Sequence, residues 1–421
     1  MSETSFAPLD PPTLPRRLGQ VSAVVERVGD PSGWDVHEIG DGNLNLVFVV
    51  SGAAGQVIVK QALPYVRLVG ESWPLPLKRA FFEYNALSRQ AARDPGSVPE
   101  VYYVDDTQAL VVMEYLADHV ILRQSLMTGT IHAGLGGFLG RFCARTAFRG
   151  SDLHLPAATR KRDLALFAEN IELCDITENL VFSDPYFAAE MNRHTPALDP
   201  VVAALRADRD MKVAAQHMKA RFANNAETLL HGDLHTGSVM VKDDMARVID
   251  PEFATYGPMG FDIGMLIANF LMAHCAQPGH LPDQAQRAAY QDWILDVVSD
   301  IWSGFAQEFT HLWRTERTGI LYEATLFEDQ NDTLGAEQAR IDRLDAIWQD
   351  MLGFCGVEMH RRILGLAHII EFDRITDDAL RAQCEARGLV LGRAVTIGRR
   401  TIRDMDTLKD LVCTTAERDF L

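Results

Sequence analysis

The sequence predicts an α+β chain of two lobes: a small antiparallel sheet with one main helix in residues 1–115, then a larger, mostly helical part in residues 116–421. Short β-branched runs crowd the first part, and a single amphipathic stretch interrupts them. After Glu114-Tyr115-Leu116 the apolar spacing turns helical for most of the remaining chain. A length of 421 residues suits two lobes better than one simple core, and 47% apolar content allows a large core.

The elements are justified in chain order. The Pro-rich, polar first residues predict a mobile arm. WDVHEIG, from Trp34, is a short alternating run closed by the turn formers Gly40-Asp41-Gly42-Asn43. LVFVV and QVIVK follow across SGAAG, a hairpin pattern. VGESWPLP, which holds Trp73, reads as a loop. LKRAFFEYNALSRQAAR carries apolar residues at helical spacing, and VYYV and ALVVMEY return to strand character. No long helix separates the hairpins, so the sheet is expected to be antiparallel rather than doubly wound. The apolar stretch from Ile263 to His274 is shorter than the ~20 residues of a membrane span and predicts a buried helix. The stretch from Asp283 to Gln349 reads as helical and acidic.

Charge and cysteine usage narrow the class. The formal net charge is −18, where duplex binding would call for a basic surface; no nucleic-acid partner is expected. Six scattered cysteines with no C-x-x-C pair, and no apolar leader at the N-terminus, point to a reduced, cytoplasmic protein without a membrane partner.

Four constellations carry chemistry. In His231-Gly232-Asp233-Leu234-His235-Thr236-Gly237-Ser238, an Asp in a tight inter-strand loop can orient a hydroxyl and take its proton as it attacks phosphorus. A zinc reading of the two histidines fits less well, because a helix and a Glu after the first His are missing. Asp250-Pro251-Glu252 follows an apolar strand, and two carboxylates there can offer hard oxygen ligands to Mg²⁺. Lys60 closes the strand QVIVK and can hold phosphates, with Glu83 on the next helix as its ion-pair partner. Gly40-Asp41-Gly42-Asn43-Leu44-Asn45 sits where backbone amides can cover phosphates, although it is also an ordinary hairpin turn. Two further features are Arg361-Arg362, ahead of ILGLAHII, which reads as a buried helical run, and Asp262, read as an anchor for the catalytic loop or a helix cap.

With these residues assembled, the chain resembles the 5-methylthioribose kinase family, in the aminoglycoside-phosphotransferase-like branch of the protein-kinase-like superfamily. The segments that carry the resemblance are DGNLNLVF, IVKQALPYVR, ESWPLP, HGDLHTGSV, DPEFATYGPMGFDIG and RRILGLAH. It implies a protein-kinase-like two-lobed fold and ATP-dependent phosphorylation of the anomeric hydroxyl of 5-methylthioribose, in methionine salvage. It further implies Mg²⁺ and a cytoplasmic homodimer. By matching positions, it implies Asp233 as catalytic base and Asp250 and Glu252 as metal ligands, with Pro251 between them. Lys60, steadied by Glu83, and Asn43 would contact ATP; Glu114, Tyr115 and Leu116 would form the adenine hinge. Arg361 and Arg362 would contact the sugar or the transferring phosphate, and the loop holding Trp73 would close over it. Where kinase loops carry a metal-binding Asn five residues after the Asp, this chain has Ser238, and the resemblance assigns the second anchoring group to Glu252.

Two other readings compete. A kinase for aminoglycosides, choline or homoserine would share the mechanism, and the acidic charge suits polycationic aminoglycosides; HTGS and DPEFATYGPMG speak against it. A non-catalytic nucleotide sensor would be expected to have lost a key group, yet Lys60, Glu83, Asp233, Asp250 and Glu252 are all present.

Overall fold

A computed structural model describes residues 5–39, 44–66 and 70–421. Its contacts divide the chain into two compact units, Met1–His119 with Arg247–Ala254, and Val120–Ala246 with Thr255–Leu421. The short segment that holds Asp250 and Glu252 therefore packs with the first unit, where the sequence reading had assigned everything after residue 115 to the second.

The first unit is built on a five-stranded sheet. Its strands are β1 (Asp35–Glu38), β2 (Asn45–Ser51) and β3 (Gln56–Ala62), then, beyond the short β4 (Tyr65–Val66) and β5 (Gly70–Pro74), β6 (Val101–Asp105) and β7 (Leu110–Glu114). The spatial order is β1-β2-β3-β7-β6, every pairing antiparallel. β3 is thus internal, with Lys60 opposite Val47 on one side and Val111 on the other. Side chains alternate along a strand. Val57 and Val59 are fully buried in the apolar core, and Lys60 belongs to the opposite face.

The first residues are not a mobile arm from Ser5 onward. Two short helices, α1 (Leu14–Leu18) and α2 (Ser22–Val28), bury Leu14, Leu18, Val24 and Val28 in the core beneath β2 and β3. Ahead of them, Leu9 N donates to Gln61 Oε1 at 2.7 Å and Gln61 Nε2 donates to Ala7 O at 3.0 Å. The reason is the sheet itself: without this cover, Phe48, Val50, Val57 and Val59 would present an apolar face to water. α3 (Arg79–Arg93) is the amphipathic helix expected, and it buries Phe82, Glu83, Ala86 and Leu87. Trp73 lies on β5, paired with β4, rather than in a loop, and is half-buried.

The second unit is mostly helical. Its longest helices, Gln284–Thr315 and Thr333–Leu364, are capped by the side chains of Asp283 and Asp332. The helix Gly260–Ala276 is buried almost all round and follows the apolar run expected there. It lies close against Thr333–Leu364 because Gly264 leaves room: a Cβ there would come within 2.6 Å of Met351 O. ILGLAHII, read as a continuing helix, ends its helical part at Leu364 and is irregular up to Ile369. Arg361 and Arg362 therefore occupy a helix C-terminus. No helix among the described residues is long and apolar enough to cross a membrane.

Candidate active site

The first unit gathers a buried charge cluster. Lys60 Nζ donates to Glu83 Oε1 at 2.8 Å and also to Asp250 Oδ1. Asp250 reaches it from a left-handed backbone, φ +69°, a conformation aspartate tolerates better than most residues. This turn brings Asp250, Glu252 and Glu83 together, with one carboxylate oxygen from each within 4.8 Å of the others. Pro251, between two of them, is buried. Glu252 is held by Arg79 Nε at 3.2 Å and by Asn45 Nδ2 at 3.2 Å. Arg79 is wholly buried and donates also to Leu44 O, Leu63 O and Asn45 Oδ1.

Burial works against the charge of Lys60, but Asp250, Glu83 and Glu252 outweigh it and hold its pKa above the ordinary value. Burial raises the carboxyls of Glu83, to about 7, and of Glu252. Three carboxylates thus face two cations, Lys60 and Arg79. The surplus negative charge and hard oxygen donors suit Mg²⁺. Lys60 grips Glu83 and Asp250 alike; Asp250, nearly half exposed, is the carboxylate most open to such an ion, with the buried Glu252 beside it.

At the end of β7, Glu114 turns back on the chain: its N–H donates to Glu100 O at 2.8 Å and its Oε2 accepts from Glu100 N at 3.2 Å. Tyr115 is half-buried and Leu116 is buried. Asn43 and the turn Gly40–Gly42 lie outside the described residues.

The second unit places Asp233 in a tight loop. Asp262 anchors it, accepting from His231 N at 2.7 Å and Gly232 N at 3.0 Å, as the sequence reading of Asp262 anticipated. Gly232 has φ +89°, which favours glycine there. Ser238 Oγ tightens the far side, accepting from His235 N at 2.9 Å and donating to Asp233 O at 3.2 Å. His231 Nδ1 accepts from Asp233 N at 3.3 Å and His235 Nδ1 from Gly237 N at 2.8 Å, so both rings serve the loop. Among the described residues, neither histidine belongs to a group of three ligands close enough to share a metal.

Around Asp233 the side chains converge. Arg361 and Arg362 donate through Nη2 to the same Oδ1, at 3.1 and 3.0 Å. His235 Nε2 stands 3.4 Å from Oδ2. Because His235 Nδ1 accepts a backbone N–H, the neutral ring carries its proton on Nε2, toward Asp233. Burial keeps the His235 pKa low, at about 3. Burial also opposes ionisation of Asp233, but His235, Arg362 and Arg361 outweigh it and hold the carboxyl well below the usual range. Gly237 makes this possible: a Cβ there would come within 2.6 Å of His235 Cε1 and 3.1 Å of Arg123 Cζ. Arg123 in turn pairs with the buried Glu371, Nε to Oε2, at 3.3 Å.

A pH dependence follows. A carboxyl depressed in the folded state contributes stability above its unfolded pKa and loses it as pH falls through the folded value. The stability difference between wild type and Asp233→Asn should therefore stay flat from neutral pH down to about 5 and narrow only below ~4. Urea unfolding across this range checks it; narrowing between about pH 7 and 5 would mean a raised carboxyl instead.

Arg79, Arg123, Glu358 and Glu371 carry no site reading in the sequence, and Asn45 and His235 stand in its motifs without an assigned role. The signal for Arg79 was faint: an arginine opening an amphipathic helix reads as solvated until its burial is seen.

Residues 35–300 match the model of the phosphotransferase enzyme family. An Escherichia coli methylthioribose kinase is 42% identical over 96% of this chain and 97% of its own. Methylthioribose kinase 1 of Oryza sativa is 41% identical over 94% of this chain and 92% of its own. The chain belongs to the methylthioribose kinase family. It is a phosphotransferase, and both the carboxylate cluster and the Asp233 loop lie within the stretch that matches the phosphotransferase model. Arg361 and Arg362 lie beyond that stretch. A solved Plasmodium vivax ethanolamine kinase is 12% identical, with a TM-score of 0.44 over 91% of this chain and 90% of its own. As in the protein-kinase-like fold expected for methylthioribose kinases, an antiparallel sheet with one main helix precedes a mostly helical remainder.

Proposed function

We propose that this kinase transfers the γ-phosphoryl group of ATP to the anomeric hydroxyl of 5-methylthioribose, giving the 1-phosphate and ADP in methionine salvage. The observation that carries this reading is the near full-length similarity to methylthioribose kinases. Lys60, fixed by Glu83, and Asn43 contact ATP, and Glu114 to Leu116 hold the adenine. Asp250 and Glu252, joined by Pro251, hold Mg²⁺, which when bound neutralises charge on the phosphate oxygens.

Asp233 stays ionised and takes the hydroxyl proton. Its depressed basicity fits a loose transition state, in which the base orients the nucleophile and receives the proton late. An anomeric hydroxyl is also more acidic than an ordinary alcohol, so a weak base suffices. Arg361 and Arg362 meet the sugar or the phosphoryl group in flight, and Trp73 covers the sugar. The methylthio group needs soft, apolar contacts. Homodimeric assembly in the cytoplasm belongs to the same reading and is supported by the family resemblance.

A coupled ADP-release assay with Mg-ATP tests the substrate. Turnover is expected on 5-methylthioribose, and not on ribose, kanamycin or choline. Turnover on kanamycin or choline alone would keep the kinase and overturn its substrate.

A further inference from the structure

We infer that Glu358 is a positioning residue that sets the two arginines on Asp233; the inference rests on the reading of Arg361 and Arg362 as substrate contacts. Neighbouring residues on a helix point about 100° apart, so two adjacent arginines do not converge on one atom unaided. Glu358 lies three and four residues before them, on the same face as both. Its carboxylate is completely buried. Oε1 accepts from Arg362 Nε at 2.6 Å, and Oε2 stands 3.0 Å from Arg361 Nε. Each guanidinium is thereby gripped at its Nε edge and left to present Nη2 to Asp233 Oδ1.

The charges require such a partner. Arg361 and Arg362 meet at one oxygen atom, and the nearby Arg123, which reaches His235, is already paired with Glu371. Burial and the neighbouring Arg362 both act against the charge of Arg361. Asp233 alone cannot neutralise the pair, and the buried carboxylate of Glu358 supplies the second negative charge. The two grips differ: the Arg362 contact is an aligned hydrogen bond, whereas Glu358 Oε2 and Arg361 Nε form an ion pair without hydrogen-bond alignment. Arg361 is therefore the arm freer to leave Asp233 for an arriving anionic oxygen, while Arg362 stays fixed.

Glu358→Gln keeps the shape and removes the charge. Misplacement of positioned groups by about 1 Å can cost ~10²-fold, and a loss of that order in kcat/KM for the sugar is expected, with KM for Mg-ATP unchanged. In an Arg361→Lys/Arg362→Lys background the same substitution should add no further loss, because lysine has no Nε edge to grip. A loss of equal size in both backgrounds, or wild-type kinetics for Glu358→Gln, would overturn the inference. Wild-type kinetics for the double lysine variant would overturn the reading of the arginines as well, which separates the two failures. Where Glu358→Gln does not fold, Glu358→Asp serves: its charge is kept, its reach spans one arginine only, and a partial loss is expected. Calorimetric binding of 5-methylthioribose 1-phosphate carries the same comparison for variants too slow to assay.

Discussion

Asp233→Asn is expected to lower kcat by at least ~10²-fold, the lower range for loss of a general base. An amide cannot accept the hydroxyl proton. It also presents the wrong polarity: Oδ1 now receives two guanidinium donors and Oδ2 faces the Nε2–H of His235, so an NH₂ group must oppose a donor on one side. The loop itself should survive, because Asp262 and Ser238 hold its backbone independently of the Asp233 side chain. KM for Mg-ATP should change little. Steady-state kinetics with purified variant check this, and near-normal turnover would remove Asp233 from the mechanism.

The second large effect is expected at Glu252. Glu252→Gln should raise the Mg²⁺ concentration needed for half-maximal turnover and lower kcat. It should also destabilise the first unit, because Glu252 is hydrogen-bonded to Arg79 and the guanidinium is wholly buried. Removing one member of a buried ion pair typically costs about 3 kcal/mol or more. Asn45 Oδ1 and two carbonyls would still accept from Arg79, which places the expected cost near the lower end. A Mg²⁺ titration of turnover at saturating ATP and a urea-unfolding curve separate the two effects. Unchanged Mg²⁺ dependence would mean that the metal is held elsewhere.

Strand alternation made β2, β3, β6 and β7 legible, since Val and Ile runs between Gly-rich turns have few other uses. The pairing of Lys60 with Glu83 was legible from the order of elements: the strand and the helix after it leave few partners within reach. The N-terminal helices were not. Their prolines suggested an arm, and only the apolar face of the finished sheet gives Leu14, Leu18, Val24 and Val28 something to cover. Burial of charge was equally hidden. Arg79 and Glu358 look solvated in sequence, and each is buried because a particular opposite charge waits inside the fold. The convergence of Arg361 and Arg362 on one oxygen needed the carboxylate three and four residues earlier, a spacing visible in the sequence once its partner is known.

The most direct test of the central claim is the site of phosphorylation. Purified protein, Mg-ATP and 5-methylthioribose are incubated, and the product is read by ³¹P–¹H correlation. The account predicts, beside the signals of ADP, one new phosphomonoester signal coupled to the anomeric proton. Coupling to the proton on C2 or C3 instead, or release of inorganic phosphate with the sugar unchanged, would contradict it.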